Sequence, residues 1–138
     1  MPRIELLDWE SARAEASRIR MTVFVAEQRV PAEIEMDGRD VECVHALAYV
    51  DGRAVGTGRL LPDGHIGRMA VVKDWRRRGV GDAILEALVA EARKRGHAEV
   101  VVAAQLQAAE FYRNHGFVAD GKVYQDAGIL HENMRKKL

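Results

Sequence analysis

The sequence predicts an α+β fold in which one sheet is covered by helices on both faces. Three observations predict it: apolar residues recur at helical spacing in two long stretches, strand-like runs follow one another between tight-turn signals, and a nearly all-apolar run demands cover on both sides. In chain order, "RIELL" reads as a short first strand. Ala12, Ala16, Ile19 and Val23 then share one helical stripe, so an amphipathic helix is expected over about residues 9 to 27. "PAEIEMDGRDVE" is an acidic connection. "VHALAYV" and "AVGTGRLL" flank Asp51-Gly52, a favoured pair for a tight hairpin turn, and Pro62-Asp63-Gly64 turns the chain into "HIGRMAVV", giving an antiparallel meander. A helix over 79 to 95 carries Val80, Ile84, Leu88 and Ala92 on one stripe, gains a Glu91/Arg95 pair, and stops at Gly96, where a left-handed cap is easy for glycine. "AEVVVAA" is the fully covered strand, "QAAEFYRNHGF" a shorter helix ended by Gly116, and "FVADGKVY" and "ILHENM" the closing strands.

At 138 residues, 48% hydrophobic and 30% charged, the chain suits one domain spanning residues 1–138, and no linker, repeat or low-complexity tract divides it. Its 21 basic and 21 acidic side chains cancel, so no global field favours nucleic acid or an anionic membrane as a partner. No apolar run approaches the ~20 residues of a membrane span, and the start "MPRIELLDWE" is too acidic for a signal peptide, so a cytoplasmic protein is expected. Cys43 is the only cysteine, which excludes an internal disulfide and a Cys-rich zinc cage; its apolar neighbours read as a buried strand. "His97-Ala98-Glu99" has the H-x-E spacing of zinc deaminases but lacks the P-C-x-x-C that would complete it, so no metal site is expected.

The stretch "WRRRGVGDAILEALVAEARKRG" concentrates chemistry at the mouth of the long helix. Gly79 and Gly81 let the backbone turn tightly there, leaving unpaired N–H groups beside the positive end of the helix dipole. That is a phosphate cradle. Arg76, Arg77 and Arg78 add guanidinium groups that pair with phosphate in fork geometry, which favours a pyrophosphate over a lone carboxylate. Neither G-x-x-x-x-G-K-[ST] nor G-x-G-x-x-G fits, because the position three past Gly81 is Ile84.

"Arg76-Arg77-Arg78-Gly79-Val80-Gly81" resembles the R/Q-x-x-G-x-G/A signature of the GNAT acetyltransferases, placed between a strand and a helix as in that family. "Gln105-x-x-Ala108-x-x-x-Tyr112-x-x-x-Gly116-Phe117" resembles a second family segment, with Gln105 in place of the usual asparagine. "VFVAEQRVPAEIEMDGRD", "VGTGRLL", "IGRMAVV", "AAQLQAAEFY" and "AGILHENMRK" look like the ElaA-like branch of that family. The resemblance implies a mixed, mostly antiparallel central sheet of six to seven strands. It implies N-acetyl transfer from acetyl-CoA to a primary amine, on a small molecule, peptide or protein. The pyrophosphate of coenzyme A would lie on the amides of Arg77 to Gly81, Val80 among them, and the pantetheine arm along Met69, Ala70 and Val71, with Gln105, Ala108 and Tyr112 nearby.

Within that resemblance, Val71 N–H is the candidate donor to the thioester carbonyl, where negative charge grows during attack. Tyr112 is the candidate acid for the departing thiolate. Glu27 resembles a recurrent glutamate of the branch and is a candidate base, although the paired glutamates common there are Ala26-Glu27 here. His45 and His131 lie on strands that could face the cleft, where a structural role is the default. Glu33, Glu35, Asp37, Asp40 and Glu42 read first as a solvated loop face and second as a site for a cationic acceptor. Arg59 and Arg68 could meet an acidic acceptor or pair with that loop. An acyl-CoA-binding module without catalysis is the rival reading, and edge strands near the C-terminus could pair two chains as a homodimer.

Overall fold

In a computed structural model, which describes residues 2–138, the chain forms one seven-stranded sheet in the order β1-β2-β3-β4-β5-β7-β6. Its strands are β1 (Arg3–Leu7), β2 (Val44–Val50), β3 (Arg53–Leu60), β4 (His65–Val71), β5 (Glu99–Gln105), β6 (Val118–Asp126) and β7 (Ile129–Lys137). The helices are α1 (Trp9–Arg20), α2 (Ala32–Glu35), α3 (Val80–Lys94) and α4 (Ala109–Asn114). All neighbours pair antiparallel except β4 and β5, which are parallel. The mixed, mostly antiparallel sheet expected from the sequence is the sheet found.

Helix α1 starts where Asp8 caps the Ser11 amide at 2.9 Å, satisfying one of the donors a helix start leaves free. It does not end at Arg20 but loosens into π-helical turns over Met21–Glu27, which completes the helix expected over 9 to 27 in a wider winding. Ala12, Ala16, Ile19 and Val23 pack on one face of the sheet against Leu47, Ala54 and Ala70. Helix α3 lays Val80, Ile84, Leu85 and Leu88 on the other face, against Ala46, Ala48, Val100 and Val102, and α4 adds Ala109 and Tyr112 there.

Two glycines in β3 explain how closely α3 seats. A Cβ on Gly56 would lie 2.8 Å from Ile84 Cδ1, and one on Gly58 would lie 2.9 Å from Ile84 Cγ2 and 3.0 Å from Leu88 Cδ1. The pattern "VGTGRLL" thus clears a groove for the helix.

The parallel pair is the feature that builds a site. β4 and β5 are in register only at His65↔Val101 and Ile66↔Val102; beyond those positions the strands part. Within the parting, Arg68 takes φ 48, unusual for a residue with a Cβ, and the β3–β4 register shifts between Thr57 and Arg59. Among the described residues no helix is long and apolar enough to cross a membrane.

The acidic connection is only in part the solvated face the sequence suggested. Glu33, Asp37 and Glu42 are exposed, while Glu35 and Asp40 are buried. Arg20 is 2% exposed and engages Glu35 through Nε and Asp40 through both terminal nitrogens, at 2.7 and 3.1 Å. Arg59 grips Asp37 at 3.0 and 2.5 Å and Asp40 at 2.9 Å. The reason is pairing: a buried carboxylate is tolerable only beside a compensating cation, and Arg20 and Arg59 supply that for Glu35 and Asp40, while Arg59 and Arg68 also hold the exposed Asp37. A cationic acceptor would find no free charge in this cluster.

Candidate active site

The parting of β4 and β5 opens a cleft of about 470 Å³. Met69, Ala70, Val71, Arg76, Gln105, Ala108 and Tyr112, all singled out by sequence, line it. Phe24, Val30 and Ile34 roof it from the α1–α2 side, and Arg68, Ile129 and His131 complete the wall.

Val71 occupies a telling register. Val72 N donates to Val55 O at 2.9 Å, so in the antiparallel β3–β4 pair the preceding residue turns its N–H and C=O away from β3. Its carbonyl accepts from Arg76 Nε at 2.8 Å. Its N–H faces the opening where β5 has departed.

Arg76 has a second partner: its terminal nitrogen donates to Glu27 Oε1 at 2.9 Å. The first arginine of the run therefore ties the end of β4 to the end of the α1 helical segment rather than pointing free at an anion. Glu27 does not line the cleft; it stands outside, anchoring Arg76. Arg78 lies over the Trp75 ring, 5.0 Å from its centroid, and Arg77 is exposed. Arg77 at φ 62 and Gly79 at φ 81 bend the loop so that, after Arg76 N, the next backbone donor with a partner is Ala83 N, to Gly79 O. The amides of Arg77, Arg78, Gly79, Val80 and Gly81 are left at the mouth of α3. The Val80 side chain is in the core, so only its amide belongs to the mouth.

Tyr112 comes up from the α3–α4 face, 8% exposed, with its hydroxyl 3.7 Å from Met69 Sδ. Burial pushes that hydroxyl up to about 12, so it is a protonated donor at any working pH. Gln105 does not stand free: its Nε2 donates to Gln28 Oε1 at 2.8 Å and its Oε1 accepts from Gln107 at 2.6 Å.

The two strand histidines separate. His45 is sealed, its Nε2 2.9 Å from Asp40 O and its ring 4.8 Å from Trp9, and burial holds it below its ordinary range, hence neutral. His131 lines the cleft. Cys43 is buried, as expected, and burial pushes its thiol up to about 11, which makes it inert.

A family model described as an acetyltransferase (GNAT) domain matches residues 11–138. The chain belongs to the GNAT acetyltransferase family. It is 40% identical over 131 residues to YjcF of Bacillus subtilis strain 168, named an uncharacterized N-acetyltransferase, covering 92% of this chain and 94% of YjcF. The crystal structure of Escherichia coli ElaA is similar at 25% identity and TM-score 0.88, covering 98% of this chain and 99% of that one. An acyl-CoA N-acyltransferase from Pseudomonas aeruginosa is similar at 29% identity and TM-score 0.82, covering 99% of each chain. Acyl transfer is the activity this membership carries.

Sequence reasoning missed two parts of this site and the buried Arg20 that holds Glu35 behind its wall. Gln28, which holds Gln105, gave no signal, because the partners are far apart in the chain. The roof residues Phe24, Val30 and Ile34 looked like ordinary apolar positions. Arg20 did leave a signal: it falls on the stripe of Ala16, Ile19 and Val23, a buried position for a cation that must be paired.

Proposed function

We propose that this protein moves an acyl group, acetyl first among candidates, from acyl-CoA to a primary amine by direct attack within the β4–β5 cleft. The observation that carries the reading is the coincidence, at one opening, of an outward-facing Val71 N–H and a buried protonated Tyr112, with Arg76 on its wall leading directly into the free amides at the mouth of α3.

The residues fit such a carrier. Arg77, Arg78, Gly79, Val80 and Gly81 offer backbone donors and two cations to a diphosphate. Gly79 carries nothing that blocks approach, since a Cβ there would meet no atom within 4 Å. The unpaired edge of β4 at Met69, Ala70 and Val71 can hydrogen-bond an amide-bearing arm as an added strand would. Acyl-CoA, when bound, supplies an activated thioester carbonyl. Val71 N–H stabilises the negative charge that grows on that carbonyl oxygen. Tyr112 hands its proton to the departing sulfur. Glu27 fixes Arg76, and through it the Val71 carbonyl, so its role is to position the strand end rather than to take a proton. Gln105 and Ala108 shape the far wall.

Titration calorimetry with coenzyme A and acetyl-CoA tests the cradle, and a mass-change screen of phenethylamine, spermidine, glycinamide and a lysine peptide with acetyl-CoA tests transfer. Saturable heat together with an acetylated amine is expected. Heat without any product would leave an acyl-CoA-binding module; no heat at millimolar ligand would remove the cradle.

A further inference from the structure

We infer that His131 is the base that takes the proton from the incoming amine, through Nε2, a role that rests on the acyl-transfer reading above. Three observations lead there.

The first is the tautomer. His131 Nδ1 lies 2.8 Å from the Ile129 carbonyl oxygen. A carbonyl can only accept, so Nδ1 carries the hydrogen, and in the neutral ring the lone pair belongs to Nε2. The second is access. Nε2 has no protein partner, yet it is not among the sealed polar atoms without one, and the residue lines the cleft. The lone pair therefore opens onto the cavity. The ring is held in place by Tyr124, stacked at 5.9 Å and 21°, whose hydroxyl is in turn fixed on Asn133 Oδ1 at 2.8 Å.

The third is the face. In the β5–β7 ladder His131 is directly opposite Gln105, so the two side chains leave the sheet on the same side. Gln105 bonds Gln28, at the end of the α1 segment, and is the neighbour of Ala104, which packs on the opposite, α3 side. Tyr112 belongs to that α3 side as well. Acid and base thus reach the one cleft from opposite faces of the sheet, the parting of β4 and β5 being the passage between them. Two separate groups can then take the proton of the nucleophile and supply the proton of the leaving sulfur without either side chain moving.

The step balances without a further reactant. His131 Nε2 takes the proton from the ammonium form of the incoming amine, and the lone pair so freed forms the C–N bond at the thioester carbonyl carbon. The C–S bond breaks as the second N–H proton leaves to water, and Tyr112 passes its hydroxyl proton to sulfur. The imidazolium returns its proton to solvent and the phenolate takes one back, so amide, free thiol and the proton of the ammonium ion are the net products.

The test pairs a spectroscopic and a kinetic readout on the full chain. In a long-range proton–nitrogen correlation spectrum with coenzyme A bound at neutral pH, His131, assigned by its loss in His131→Gln, is expected with Nδ1 protonated and Nε2 bare. A spectrum with Nε2 protonated overturns the inference whatever the activity. For kinetics, hydroxylamine, already neutral near pH 7, is compared with phenethylamine, which must first lose a proton. His131→Ala is expected to lower kcat/KM for phenethylamine on the order of 10²-fold, to spare hydroxylamine, to be partly restored by added imidazole, and to leave acetyl-CoA affinity and the native circular dichroism spectrum unchanged. Equal losses with both nucleophiles, or none, in an active wild-type background would sink the base while leaving acyl transfer standing. A wild-type protein that acetylates neither nucleophile takes both down together.

Discussion

Tyr112 shows how a residue's chemistry depends on what surrounds it. In sequence it is a tyrosine next to Phe111 on an amphipathic helix; in the fold it is buried, in edge contact with Phe111 and Phe117, and its hydroxyl points at Met69 on the parted strand. Burial alone pushes its titration up to about 12, so ionisation of Tyr112 is not expected to shape the rate below strongly alkaline pH. Tyr112→Phe should lower kcat by about 10²-fold while the calorimetric affinity for acetyl-CoA is nearly unchanged. A variant turning over at the wild-type rate would take the hydroxyl out of the mechanism. Glu27 makes the opposite point: the residue was legible as a candidate, but its carboxylate is spent on Arg76. Only a three-dimensional neighbour could reveal that, because the two positions are 49 residues apart.

Among the elements, β4 and the start of α3 do the assembling. β4 pairs with β3 on both sides of an irregularity at Arg68 and Met69 but only briefly with β5, and that asymmetry frees one edge of a strand inside a sheet. The hairpin and helix-stop signals were readable because turns need particular backbone geometry: Gly52, Gly64 and Gly96 all sit at positive φ. The parting of β4 from β5 was not readable from composition, because an apolar strand looks the same whether or not its neighbour leaves it. At the α3 mouth, Gly79 holds φ 81 with open space where a Cβ would go. The cost of Gly79→Val is therefore conformational strain, about 1–3 kcal/mol, rather than a clash. That variant should lose affinity for coenzyme A while keeping the native circular dichroism spectrum; full affinity would show that the amide cradle does not hold the ligand.

For the whole molecule, a total formal charge of zero conceals a charged interior. Arg20, Arg59 and Arg68 face Glu35, Asp37 and Asp40 between the sheet and the α2 loop, and this cluster makes stability depend on pH. The guanidinium of Arg59 holds the Asp37 carboxyl well below its usual range. For Asp40, burial works toward protonation but Arg20 and Arg59 outweigh it, so it too is lowered. Burial lowers His45 from its ordinary 6.5. In every case the unfolded chain binds more protons than the folded one just below the ordinary value, so stability is complete above it and falls as pH drops. Urea midpoints should be level above pH ~7, decline below about 6.5 as His45 is forced to charge, and decline again below about 4 as Asp37 and Asp40 protonate. His45→Gln should flatten the first decline and spare the second. A midpoint unchanged between pH 7 and pH 5 would show that His45 is not held neutral by the fold.

The sequence by itself determined the order of elements, the two helix stripes, the turns and the glycine-opened mouth of α3, because each depends on local backbone geometry and on periodic burial. Tertiary structure alone decided which charges are free and which are spent, why Val71 N–H faces an opening, and which histidine lines the cleft. Those outcomes depend on partners brought together from distant parts of the chain, as Glu27 meets Arg76 and Gln28 meets Gln105, and no local pattern encodes such meetings.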